Sequence, residues 1–253
     1  MNSGAALSTG ASGPVEVILP GKAGDRSSAR SSGGTIRVRK PGRQSIVTAP
    51  FILYGNVNSQ PATRVALFFR LAGIPFQYRH VDLRSGQQKS PEYQAINRFG
   101  RVPTLVHGDH SISESSVILT YLAEQTGQFG GRDDAEKLRI AEWLSWLADV
   151  LLPVQRARAV RKFNGDANAL PWLDASAASG MKLFDEHLSG HSFIQSERLT
   201  IADIFAFPWI DLLNESAIEA KDYPNVQAWA DRIRAQPGYK PQYELMPSAD
   251  AEC

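Results

Sequence analysis

Three short stretches of the chain carry groups that could do chemistry together. In the first, Ser59 stands two residues before Pro61 at what reads as a helix start, so Ser59 or Gln60 is the natural N-cap. A hydroxyl there can cap the helix and also point at a bound anion, a thiolate included, because free N–H groups and the helix dipole favour negative charge. In the second, Val102-Pro103 opens a predicted strand, where proline cannot donate to the ladder. Either a cis bond turns the Val102 N–H and C=O outward as a two-bond partner for a peptide-like ligand, or the proline lies on an edge strand. In the third, Glu114-Ser115-Ser116 directly precedes another helix, and Ser115 suits a cap, an anion ligand or both.

The elements that must position these groups follow from the hydrophobic pattern. FILY from Phe51 reads as a short buried strand, GNVNSQ as a turn, and PATRVALFFRLA as a helix ending at Gly73. PFQYRHVDL is a second strand, PEYQAI a short helix, and RVPTLVHGDHSIS a hairpin turning at Gly108-Asp109. ESSVILTYLAEQTG is a helix with Gly127 just past its end. Beyond Gly130 only helical spacing recurs, in DDAEKLRIAEWLSWLADVLL, WLDASAASGMKLFDEHL, TIADIFAFPWIDLLNE and NVQAWADRIRAQ. Asp133 and Asp134 open the first of these, where the dipole favours acids. The expected organisation is an extension over 1–49, an α/β domain over 50–127, a linker over 128–132, an all-α domain over 133–245 and a tail over 246–253.

Composition narrows the function. With 43% apolar residues the chain can bury a substantial core. Residues 1–50 hold seven basic and two acidic residues, leaving 20 basic and 24 acidic in the remainder, so the body is slightly acidic. It does not carry the balance of a nucleic-acid surface, and small-molecule partners are expected. Cys253 is the only cysteine, which rules out an intrachain disulfide and a cysteine-ligated metal site and fits a reducing cytoplasm. Val15–Pro20, the longest apolar stretch near the start, is too short for a membrane span or a signal-peptide core. The first 49 residues, rich in Gly, Ser and Arg, read as a disordered extension, with a transit peptide as the competing reading. Among the five histidines only His187 and His191 have a metal-helix spacing, and Gly190 interrupts it, so no metal site is expected.

The order LYGNVNSQPATRV, KSPEYQAINRFGRVPTL, ISESSVILTYLAE and LTIADI resembles a cytosolic glutathione S-transferase of the serine type, nearest the phi class, over about residues 51–240. That resemblance implies an α/β thioredoxin-like domain followed by an all-α domain. It gives Ser59, five residues before Arg64, the catalytic role of hydrogen-bonding the glutathione sulfur. It assigns Arg101, Val102 and Pro103 to the cysteinyl part of glutathione and Glu114 and Ser115 to the γ-glutamyl end. Gln88-Lys89 stands where the phi class has a His-Lys pair for the glycine carboxylate. Thr200 and Asp203 match the family's structural capping box, with Leu199 and Ile204 placed as a staple and Ser196 where the family usually has Gly. Phe99 would be an anchor between subunits of a homodimer, or else an ordinary core contact.

The implied activity is attack of a glutathione thiolate on a hydrophobic electrophile, with glutathione as co-substrate and no cofactor. Conjugation would serve detoxification; hydroperoxide reduction and ether cleavage use the same thiolate. A cysteine-type relative is disfavoured because no cysteine lies near Ser59, and the zeta class because NSQPA lacks its SSC pattern. A non-catalytic glutathione-binding or protein-interaction module of the same fold is the alternative reading.

Overall fold

The computed structural model describes residues 49–195 and 197–253. Nearly all of the expected extension over 1–49, and Ser196 in the turn before the capping box, lie outside the described residues.

Strand β1 (Ile52–Gly55) feeds helix α1 (Gln60–Ala72), then β2 (Gln77–His80), a single 3-10 turn at Gln87–Lys89, α2 (Pro91–Ile96), the hairpin β3 (Thr104–His107) and β4 (His110–Ser113), and α3 (Ser115–Thr126). Ser59 caps α1, Pro61 sits in its first turn, and Gly73 closes it in the left-handed region at φ 65°. Both faces of α1 are buried, with Ala62 through Phe69 all inside, because it packs on β1 and is covered by later helices. The hairpin turns at Gly108-Asp109, with His107 paired to His110.

The second half is helical apart from its last residues: α4 (Asp134–Val150), α5 (Leu152–Phe163), α6 (Leu170–Leu188), α7 (Ile201–Ile210), α8 (Pro224–Arg234) and α9 (Gln242–Leu245). Asp133 caps α4 through the Glu136 N–H. Helix α7 is buried along its whole length and packs on α1. Its Thr200–Asp203 capping box is present, and the Asp203 carboxylate also accepts the Ile194 N–H and the Trp229 indole N–H.

Two elements depart from the sequence reading. The apolar run through Leu152 divides at Leu151, and Pro153 starts a separate helix, α5, whose buried face is Pro153, Val154, Ala157 and Arg158. The segment read as a tail supplies strand β5 (Ala251–Glu252), antiparallel to β2. The Asp250 carboxylate accepts the His80 N–H at 2.7 Å, and Phe76 and Cys253 exchange backbone hydrogen bonds. The sheet is therefore five-stranded in the order β4-β3-β1-β2-β5, with β1 and β2 parallel and the other neighbours antiparallel. No helix among the described residues is long and apolar enough to cross a membrane.

Candidate functional site

The sheet brings the singled-out segments to one end. Tyr54 at the end of β1 pairs with Thr104 at the start of β3, Thr104 pairs with Ser113 at the end of β4, and Gly55 pairs with His80 at the end of β2. The loop holding Ser59, the Val102-Pro103 bond, Glu114-Ser115 and the chain toward Gln88-Lys89 all adjoin that end.

The Ser59 loop is hydrogen-bonded within itself and to Val81, the residue just past β2. Asn56 sends its side-chain N–H to the Val81 carbonyl at 2.9 Å, accepts the Asn58 N–H at 3.0 Å on its side-chain oxygen, and accepts the Ser59 N–H at 2.8 Å on its carbonyl. Ser59 Oγ accepts the Ala62 N–H at 3.3 Å. The hydroxyl is half-buried and donates to no acceptor among the described residues, so its proton is available to a ligand at the helix N-terminus.

The Val102-Pro103 bond is cis, and β3 lies between β4 and β1, so the edge-strand reading does not apply. Tyr93 Oη donates to the Arg101 carbonyl at 2.8 Å and Asn97 Nδ2 donates to it at 2.7 Å; both also reach Thr104 Oγ1. These two residues, not singled out in the sequence, share one face of α2 and its cap at i, i+4 spacing, which is the signal that could have revealed them. Burial raises the Tyr93 phenol above its usual range, opposed by its bonds to Thr104 and Asn97, so it remains a donor at neutral pH. The Val102 N–H and C=O take no partner from any side chain or loop among the described residues.

Gly100 lets this loop lie against the Gln87–Lys89 turn. Its φ is +57°, and a Cβ there would stand 2.8 Å from the Gln88 carbonyl and 3.1 Å from Lys89 Nζ. Lys89 and Arg101 are exposed cations with no ion pair among the described residues, and Gln88 Oε1 is buried without a hydrogen-bond partner.

Glu114 takes φ 68°, ψ 115°, a costly conformation for a residue with a Cβ, and its side chain is exposed at the N-terminus of α3. Ser115 is buried, and its Oγ accepts from Arg64 Nη1 at 2.9 Å. Arg64, five residues after Ser59, is thus turned inward, with Nε donating to the Phe205 carbonyl at 2.6 Å. Phe99, expected either between subunits or in the core, is 45% exposed and therefore outside the core.

A mixed sheet with a cis-proline loop beside two helix N-termini, continued into a helical half, defines a thioredoxin-like domain with an all-α domain behind it. Residues 49–124 match the family description "Glutathione S-transferase, N-terminal domain" and residues 147–237 match "Glutathione S-transferase, C-terminal domain". The chain is similar to human glutathione S-transferase theta-2, 30% identical over 207 residues that cover 72% of this chain and 80% of that one. It is also similar to glutathione S-transferase F10 of Arabidopsis thaliana, 29% identical over 182 residues, with 66% and 85% covered. A solved glutathione transferase family member from Pseudomonas fluorescens, with two glutathione bound, matches at TM-score 0.70 and 25% identity over 75% of this chain and 90% of that chain. The chain belongs to the glutathione S-transferase family.

Proposed function

We propose that this glutathione transferase activates the glutathione sulfur with the Ser59 hydroxyl and joins the tripeptide to a hydrophobic electrophile. The observation that carries this reading is the Ser59 O–H, which caps α1 only as an acceptor and keeps its proton free beside the helix N-terminus. Lys89, with Gln88 beside it, takes the glycine carboxylate; Arg101, Val102 and Pro103 take the cysteinyl part; Glu114 and Ser115 take the γ-glutamyl end. The glutathione-binding domain is placed at 50–127 and the helical domain at 133–245, a division supported by the interval between the end of α3 at Thr126 and the start of α4 at Asp134.

A free thiol with a pKa of about 8.5 is mostly protonated at neutral pH, and lowering it by about two units requires about 2.7 kcal/mol. One charge-assisted hydrogen bond and a helix N-terminus are of that size. The thiolate attacks an electrophilic carbon and forms the C–S bond. A halide then leaves with its electron pair, or an activated double bond takes up a proton from solvent. Hydroperoxide reduction and aryl-ether cleavage begin from the same thiolate, and glutathione is the only co-substrate this chemistry requires.

Titrating bound glutathione by ultraviolet absorbance in Ser59→Ala tests the assignment. The sulfur pKa is expected to rise by about one to two units and conjugation at neutral pH to fall about ten- to a hundredfold, recovering at high pH. An unchanged midpoint overturns it.

A homodimer suits the exposed Phe99, which would lie at the centre of the contact. With Cys253 as its only cysteine, the protein suits a reducing cytoplasm. Light scattering at micromolar concentration tests the dimer, and a mass of one chain overturns it.

A further inference from the structure

The loop that bears Ser59 is also held from the helical half. Its Val57 carbonyl accepts from Gln242 Nε2 at the start of α9, 3.1 Å away, and its Asn58 carbonyl accepts from Arg158 Nη1 on α5 at 3.3 Å. Arg158 is a buried residue, 2% exposed, and each of its three nitrogens has a different partner. Nε donates to Glu215 Oε2 at 2.7 Å and Nη2 to Tyr243 Oη at 3.1 Å. Glu215 also accepts from Lys162 Nζ at 2.9 Å and from Tyr243 Oη at 2.6 Å, and Lys162 bonds Tyr243 as well. The guanidinium is therefore held in one orientation by Glu215 and Tyr243, which Lys162 in turn bridges, and gives its remaining nitrogen, Nη1, to the peptide immediately before Ser59.

An ion pair between the buried Arg158 and the half-buried Glu215 contributes little stability that packed apolar side chains could not supply, because desolvation of the guanidinium offsets much of the attraction. What Arg158 provides that a leucine could not is a directed donor to the Asn58 carbonyl. We infer that Arg158 is a positioning residue for the reaction: by fixing the Asn58–Ser59 peptide it aims the Ser59 hydroxyl at the glutathione sulfur, without touching glutathione itself. This rests on the Ser59 reading above. The groups assigned to hold glutathione, Lys89, Val102, Glu114 and Ser115, lie on other segments of the chain, so loss of Arg158 should spare binding and impair thiolate formation.

The test compares Arg158→Met, Arg158→Lys, Ser59→Ala and the Ser59→Ala/Arg158→Met double variant. Each is titrated for bound glutathione thiolate and assayed for kcat and KM, with circular dichroism as the check on folding. Arg158→Met should raise the sulfur midpoint by about half to one unit, less than Ser59→Ala does, and lower kcat at neutral pH about three- to tenfold while KM for glutathione changes less than about twofold. Arg158→Lys keeps the charge beside Glu215 but loses the fork, so it should shift the midpoint in the same direction; if the methionine variant does not fold, the lysine variant decides. In the Ser59→Ala background, Arg158→Met should add no further shift, since the two act through one hydroxyl.

Folded Arg158 variants that titrate like wild type while Ser59→Ala shifts would overturn the positioning role and leave Ser59 standing. An additive shift in the double variant would likewise overturn it, because the effect would then bypass the hydroxyl. No shift in Ser59→Ala itself overturns the Ser59 reading, and the positioning role with it.

Discussion

Arg64 Nη1 donates to Ser115 Oγ across 2.9 Å, which joins the middle of α1 to the first residue of α3. The same guanidinium gives Nε to the Phe205 carbonyl on α7 at 2.6 Å and lies 3.5 Å from the Phe205 ring and 4.1 Å from the Trp209 ring. Burial pushes it well below the usual arginine range, with Glu114 acting in the opposite direction. One side chain therefore couples the helix capped by Ser59, the γ-glutamyl end of the proposed site and the core of the helical half.

Replacing Arg64 by Met keeps the apolar stem and removes every donor. The Phe205 carbonyl then loses its side-chain partner and Ser115 its anchor. Unfolding stability should fall by about 1–2 kcal/mol: losing the bonds to Phe205 and Ser115 and the ring stacking costs more than is regained by no longer burying a charge whose Nη2 has no hydrogen-bond partner among the described residues. KM for glutathione should rise severalfold because Ser115 is no longer held. Urea unfolding and steady-state kinetics measure both, and a stability within error of wild type would show that these contacts contribute nothing net.

Gly100 is the point where the cis-proline loop meets the Gln87–Lys89 turn. Gly100→Ala puts a methyl 2.8 Å from the Gln88 carbonyl at a φ of +57°, so backbone must move. The expected cost is about 1–2 kcal/mol of stability, together with a raised KM for glutathione as Lys89 is displaced. Lys89→Ala, which leaves the backbone alone, should raise KM with kcat nearly unchanged, because a distant carboxylate contact binds ground and transition states alike. If Lys89→Ala instead lowers kcat at constant KM, Lys89 has another role.

What the sequence disclosed was set locally. Ser59 with Pro61 and Gly73 delimit α1 to within a residue, Thr200 with Asp203 mark the start of α7, and Gly108-Asp109 turns the hairpin. Each is decided by backbone groups within a few positions of the signal. Helix α5 escaped because its buried face carries Pro153, Ala157 and Arg158 beside one Val, which leaves no apolar stripe to read. Strand β5 escaped because two residues, Ala251 and Glu252, have no period; it exists only where the edge of β2 offers them partners some 170 positions away in sequence. The Tyr93–Asn97 clamp and the Arg158 fork both end on carbonyls, and a carbonyl has no side-chain identity through which a sequence could name it.

The acid limb of stability should report on Glu215, the carboxylate facing Arg158, Lys162 and Tyr243. Burial by itself would raise its pKa, but the hydrogen bonds from Tyr243 and Lys162 and the charge of Arg158 outweigh that and hold it below the ordinary glutamate range. An acid whose pKa is lowered on folding adds stability above its unfolded value, and loses that contribution as the pH falls through the folded one. Glu215→Gln, which keeps the shape but leaves Arg158 and Lys162 without a counter-charge, should therefore be destabilised by about 1–3 kcal/mol at neutral pH. The difference from wild type should shrink as the pH drops from the ordinary glutamate range through the lowered value, where the wild-type carboxylate is itself neutralised. Urea unfolding of both proteins at stepped pH gives the comparison. A gap that stays constant or widens toward acid would mean that Glu215 acts through packing alone, and that the charge on Arg158 is not balanced by it.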